Sequence, residues 1–242
     1  MAHRTINYNK YYNWIDHPLH SLHHIKSMNS EDVKSQFISY ILELSYTYKY
    51  YIATRRLDYD LAILQALIDH NVDVNAIHDN YSILQYLIPF PQLAQVLLPY
   101  VTNLEHCNPH GDTVFLMACR LVSPLILDLH RHHCNINALD RYDTNALHLI
   151  SKYTLIYNKP EGIVILKELI QHIDVNMVDV YGNTCLHYLE LTPRENIDLG
   201  LELCQLLLEY GCDPYINNKL GLTVYDILDY CPELQVIQNI LV

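Results

Sequence analysis

The chain has 242 residues, 50% of them hydrophobic and 17% charged, with a formal net charge of −12. That apolar content excludes a disordered polar polymer, which lacks the surface burial needed to offset chain entropy. Residues 1–60 carry a net +1 and residues 61–242 a net −13, so most of the molecule would repel a phosphate backbone, and nucleic acid is excluded as a partner.

In chain order, MAHRTINYNKYYNW has no apolar run of the signal-peptide kind, which places the protein in a reducing compartment. The seven cysteines, Cys107, Cys119, Cys134, Cys185, Cys204, Cys212 and Cys231, agree with that placement. They are scattered, odd in number and without a C-x-x-C pair, so they read as small buried hydrophobes rather than a zinc or disulfide framework. Residues 1–30 hold Trp14 among Tyr8, Tyr11 and Tyr12, then His17, His20, His23 and His24. This segment reads as an aromatic, His-rich cap over a first helix pair. Pro18 and the lack of a Cys or carboxylate companion weigh against a metal there, and no metal or cofactor is assigned. Ser30, Glu31 and Asp32 then open a helix running to about Tyr50, with residues 58–70 as its partner.

Residues 80–104 contain no Lys, Arg, Asp or Glu, which raises a membrane span. Pro89, Pro91 and Pro99, with Gln85, Gln92 and Gln95, break the run into a buried helix, a loop and a second buried helix, so no membrane partner is expected.

From there the chain repeats itself. DVYGNTCLHYLE (179–190) aligns with NPHGDTVFLMAC (108–119), DRYDTNALHLIS (140–151) and NKLGLTVYDILD (218–229), and HDNYSILQYLI (78–88) is a copy one residue shorter. The turn positions Asn80, Gly111, Asp143, Gly182 and Gly221 are separated by 31, 32, 39 and 39 residues, a quasi-period of stacked supersecondary units. The threonine after each turn is a natural helix N-cap. Helices ending at Asn71, His133, His172 or Gly211 stop on residues that enter the left-handed region more readily than most.

Thr184-Cys185-Leu186-His187 and, next, Asn145-Ala146-Leu147-His148 resemble the Thr-Pro-Leu-His signature of the ankyrin repeat family. The stretch from Cys204 to Pro214 is similar to that family's second-helix exit. The resemblance covers residues 36 or so to the C-terminus. It implies an all-α solenoid of stacked helix-turn-helix units with short β-turn fingers, an array over residues 31–242 of about five to six repeats, and histidines that brace the turn of the neighbouring repeat. Departures are the missing prolines after the signature threonines, Asp143 for the turn glycine, and Gln85 and Leu116 at the histidine position. Extra residues fall between paired helices at 153–162 and 191–200, where insertion adds little loop entropy. Val101 falls where a left-handed residue belongs.

The resemblance implies a non-enzymatic, monomeric, cytoplasmic protein-binding module. It further implies contact through the inner helices, Tyr86, Met117, Leu149 and Tyr188, and through the fingers, Arg141, Tyr142, Tyr181 and Leu220 with His110 and Lys219. The abundance of Asn, Ile, Tyr and His and the degenerate repeats resemble the ankyrin proteins of poxviruses or of intracellular bacteria, which capture host proteins. Residues 232–242 read as one short terminal helix, and the chain after Asp226 is too short for the F-box-like segment found in many viral relatives. The alternatives are an adaptor or subunit of a larger assembly and, least favoured, an enzyme: Cys185 and His187 at i, i+2 face different ways and cannot form a dyad, and Cys134 beside His132 and His133 is weaker still.

Overall fold

The computed structural model describes residues 25, 27, 28, 30–48 and 57–241; most of the expected N-terminal cap and all of its His run lie outside the described residues. Helix α1 (Ser30–Tyr48) carries Glu31 and Asp32 in its first turn, where carboxylates meet the positive end of the helix dipole. Its partner α2 (Leu57–Asp69) gives way to Asn71 at φ 56°. Strands β1 (Ile77–His78) and β2 (Tyr81–Ser82) form a hairpin closed by Asp79 and Asn80, with φ of 47° and 62°. Two consecutive left-handed residues are what a two-residue type I′ turn requires, and Asp-Asn supplies them.

Helix pairs follow: α3 (Ile83–Leu87) with α4 (Pro91–Leu97), α5 (Val114–Leu121) with α6 (Leu125–Arg131), and α7 (Ala146–Tyr157) with α8 (Glu161–Leu169). The 3-10 helix Cys185–Leu191 is paired with α9 (Ile197–Glu209), and α10 (Val224–Asp229) with the short α11 (Gln235–Gln238). First members touch in sequence: α1 on α3, α3 on α5, α5 on α7, α7 on the 3-10 helix, and that helix on α10. Second members form the outer layer, α2 on α4, α4 on α6, α8 on α9 and α9 on α11. Nearly all these helices are shorter than the roughly 12–15 residues an isolated helix needs in water, so packing holds them. The buried seam between layers includes Phe37, Leu64, Leu84, Phe115, Leu129, Leu166, Leu186, Leu207 and Leu228.

All five turn positions, Asn80, Gly111, Asp143, Gly182 and Gly221, have positive φ, as do the helix stops Asn71, His133 and Gly211. His172 departs from expectation. It ends the 3-10 turn Ile170–His172, after which Ile173 is extended, so α8 exits without a left-handed residue. α4 leaves in the same way through Leu98–Tyr100 into extended Val101, which removes the misfit at that position. The extra residues after Tyr153 do not form a loop either: they lengthen α7 to Tyr157, where Asn158 at φ 51° stops it. At the other insertion, the Thr192 hydroxyl donates to the Leu189 carbonyl at 2.7 Å, and Pro193 ends the 3-10 helix. Among the described residues no helix is long and apolar enough to cross a membrane.

Candidate functional site

The fingers are built from a local rule. Oδ1 of Asn108 accepts the N–H groups of His110 (2.8 Å) and Asp112 (3.0 Å), and Asp140 accepts those of Tyr142 (2.8 Å) and Thr144 (3.0 Å). Asp179 does the same for Tyr181 (2.8 Å) and Asn183 (2.9 Å), and Asn218 for Leu220 (2.9 Å) and Leu222 (3.1 Å). Each Asn or Asp stands three residues before its turn residue at 111, 143, 182 or 221, a spacing already present in the sequence. The result aims the residue two after each of these Asn or Asp side chains outward. Tyr142 is 41% exposed, Tyr181 59% and Leu220 82%, and His110, Arg141 and Lys219 are exposed beside them. The Arg141 guanidinium lies over the Tyr142 ring at 4.9 Å. Adjacent tips are joined: Val180 N–H donates to the Tyr142 carbonyl at 2.9 Å, and Lys219 N–H to the Tyr181 carbonyl at 2.8 Å.

The two signature histidines are buried couplers. Nδ1 of His187 accepts from the Thr184 N–H at 3.0 Å, which leaves Nε2 as the protonated nitrogen, 3.3 Å from the Leu222 carbonyl in the following turn. His148 is set alike, with the Asn145 N–H 3.3 Å from Nδ1 and the Asn183 carbonyl 3.0 Å from Nε2. Burial lowers the pKa of both rings below the ordinary value, so they stay neutral. Gln85 performs the same two tasks: Oε1 accepts from Ser82 N–H (2.8 Å) and Nε2 donates to the Asp112 carbonyl (2.9 Å). Asp226 keeps only the accepting half, taking the Thr223 N–H at 2.8 Å.

On the inner helices the four expected contact residues part company. Leu149 is 1% exposed, packed in the core, and has no surface to offer a partner. Tyr86, Met117 and Tyr188 are half-buried. The Tyr86 hydroxyl donates to the His78 carbonyl at 3.0 Å, and the Tyr188 hydroxyl to Asp179 Oδ2 at 2.8 Å, so both also anchor their own fingers. Where Leu116 replaces the coupling histidine, Arg120 joins successive units instead: it contacts Asp112 at 2.9 Å and Asp140 at 2.5 Å. Burial opposes the Arg120 charge, but the hydrogen-bonded Asp112 carboxylate outweighs it and holds its pKa above the ordinary value.

The cysteines differ: the hydrogen bond with Cys185 lowers the Cys212 thiol below its ordinary value. Cys185 is buried with Sγ 3.8 Å from Cys212 Sγ, while the nearby His187 ring is occupied by Thr184 and Leu222. Burial pushes the Cys134 and Cys204 thiols up to about 12, away from thiolate reactivity. Cys107, expected to be buried, is exposed. Among the described residues no group of three His, Cys, Asp or Glu side chains is placed to hold a metal ion.

Residues 181–219 match the family model described as Ankyrin repeat. The match runs from the finger at Tyr181 through the 3-10 helix and α9 to the next finger at Lys219. Ankyrin repeats generally mediate protein–protein interaction, and the family is typically non-enzymatic.

Proposed function

We propose that residues 31–242 form one continuous ankyrin-type array that binds a protein partner through its fingers and performs no chemistry of its own. The carrying observation is that Tyr142, Tyr181 and Leu220 stand exposed on three consecutive tips joined by main-chain hydrogen bonds. Such a row presents large amphipathic side chains already fixed in position, which lowers the entropy lost on binding. Arg141 over Tyr142 adds a charged, stacked anchor at one end. Tyr86, Met117 and Tyr188 are the flanking inner-helix contacts. The composition and degenerate repeats support a pathogen-encoded protein that acts as a monomer in the host cytoplasm on a host protein.

The test is capture from host-cell lysate by the wild-type chain and by a variant combining Tyr142→Ser, Tyr181→Ser and Leu220→Ser. Proteins recovered by the wild type should be weakened at least tenfold in the variant, about 1.4 kcal/mol, with the helical circular dichroism spectrum unchanged. Equal recovery by the two chains sinks the finger reading.

A further inference from the structure

Two glycines show what normally lies against a finger. A Cβ added at Gly111 would stand 2.9 Å from the backbone nitrogen of Arg141, and one at Gly182 would stand 2.8 Å from that of Lys219. The main chain of the next finger fills the space. At Gly221, whose φ of 77° matches theirs, an added Cβ would meet nothing within 4 Å. The carbonyls of Tyr142 and Tyr181 each accept an N–H from the following tip, whereas among the described residues no backbone donor reaches the Leu220 carbonyl. Leu220, at 82%, is also the most exposed of the large hydrophobic residues described.

The row is closed at its other end. Pro109 occupies the position that Val180 and Lys219 use to donate, and proline has no N–H to give. Contact back to the Asn80 turn is made instead by His106, whose Nε2 is 3.0 Å from the Asn80 carbonyl.

We infer that the Leu220 finger is an edge onto which a partner protein adds an extended, basic main-chain segment. The segment donates an N–H to the Leu220 carbonyl, lies against the bare face of Gly221, and covers the Leu220 and Tyr181 side chains. This rests on the protein-binding reading above and narrows it to one mode, addition of main chain to an open edge. Continuity selects an extended segment: the Tyr142–Val180 and Tyr181–Lys219 pairings define the geometry that a third such pairing would repeat. Charge selects its sign. The net −13 over residues 61–242 attracts a cationic segment and repels a second copy of this chain, and Lys219 is the sole cation of that tip.

The probe is a capped decapeptide of alternating Lys and Val, with a twin N-methylated at every Val so that those main-chain donors are gone. Gly221→Asn tests the slot, because asparagine accepts the left-handed backbone in this chain at Asn80 and Asn158 yet fills the open space. Gly211→Asn, also at positive φ with open surroundings, is the control. Titration should show the plain probe bound by the wild-type chain and by Gly211→Asn, at least tenfold weaker binding to Gly221→Asn, and weak binding of the methylated twin throughout. The inference is overturned by failure of the wild-type chain to bind the plain probe, by equal binding to Gly221→Asn or of the methylated twin, or by sedimentation showing self-association that Gly221→Asn abolishes. If the triple finger variant loses lysate capture while Gly221→Asn binds the probe normally, binding by fingers stands and the edge mode falls.

Discussion

Nε2 of Gln85 donates to the carbonyl of Asp112 at 2.9 Å, which makes a glutamine the working substitute for a histidine in this molecule. The amide supplies one acceptor and one donor at opposite ends of a planar group, as a neutral imidazole does. His187→Gln should therefore keep the melting temperature close to wild type at pH 7. His187→Ala leaves the buried Thr184 N–H without its partner, while the Leu222 carbonyl keeps the Asn218 N–H at 2.8 Å, and should lower stability by about 1–3 kcal/mol. Thermal unfolding of both variants checks this, and equal losses in the two would contradict it.

Acid should weaken the native state through the same rings. Both His148 and His187 have folded pKa values lowered by burial, so the native protein binds fewer protons than the unfolded chain as pH falls. The stability they allow is present above the unfolded value, about 6.5, and is lost as pH drops through it toward the folded values. The melting temperature should fall between pH 7 and pH 5. The His148→Gln, His187→Gln double variant should show a flatter profile in that window, read by scanning calorimetry.

The glycines of the fingers should differ sharply in tolerance although their backbone angles agree. Gly182→Asn forces a side chain to within 2.8 Å of the Lys219 backbone nitrogen, while Gly221→Asn enters open space. Chemical denaturation should place Gly182→Asn at least about 1 kcal/mol below Gly221→Asn, since only the first must move a backbone.

Arg120 joins two buried carboxylates on successive turns. Removing it in Arg120→Met strands Asp112 and Asp140 in the interior. The loss should be about 2 kcal/mol or more, below the roughly 3–5 of a fully enclosed pair because Arg120 reaches solvent. Asp112→Asn combined with Asp140→Asn should recover part of it, and denaturant midpoints measure both steps.

Much of this architecture is legible in the sequence because it is dictated locally. The left-handed turn residues, the capping residues and the aspartates and asparagines that tie each finger all act within about five residues of chain, so spacing alone finds them or contains them. What spacing hid depends on neighbours. Leu149 occupies the same repeat position as Met117 and Tyr188, but its burial is decided by the helices packed against α7. His172 fills a stop position, yet the chain there tightens into a 3-10 turn and leaves extended, a choice available to any residue. The exposure of the tips follows from the spacing of the turn residues, whereas the hydrogen bonds between tips join residues 38 apart and carry no local signature.

The couplers Gln85, His148 and His187 all point the same way, each donating a hydrogen bond to a carbonyl of a turn that comes later in the chain, and Asp226 accepts without donating onward. Trimming the molecule is therefore not symmetric. Removal of residues before Asp112 withdraws a donor and leaves behind a carbonyl that water can reach and satisfy. Removal of residues from Leu222 onward leaves the His187 N–H facing a vacated turn inside an otherwise intact unit. Shortening from the C-terminal side should first lose the buried side chains of Leu241, Ile237, Leu228 and Val224 and then, at Leu222, the acceptor of His187 as well, whereas at the other end each donor leaves together with its own helix pair.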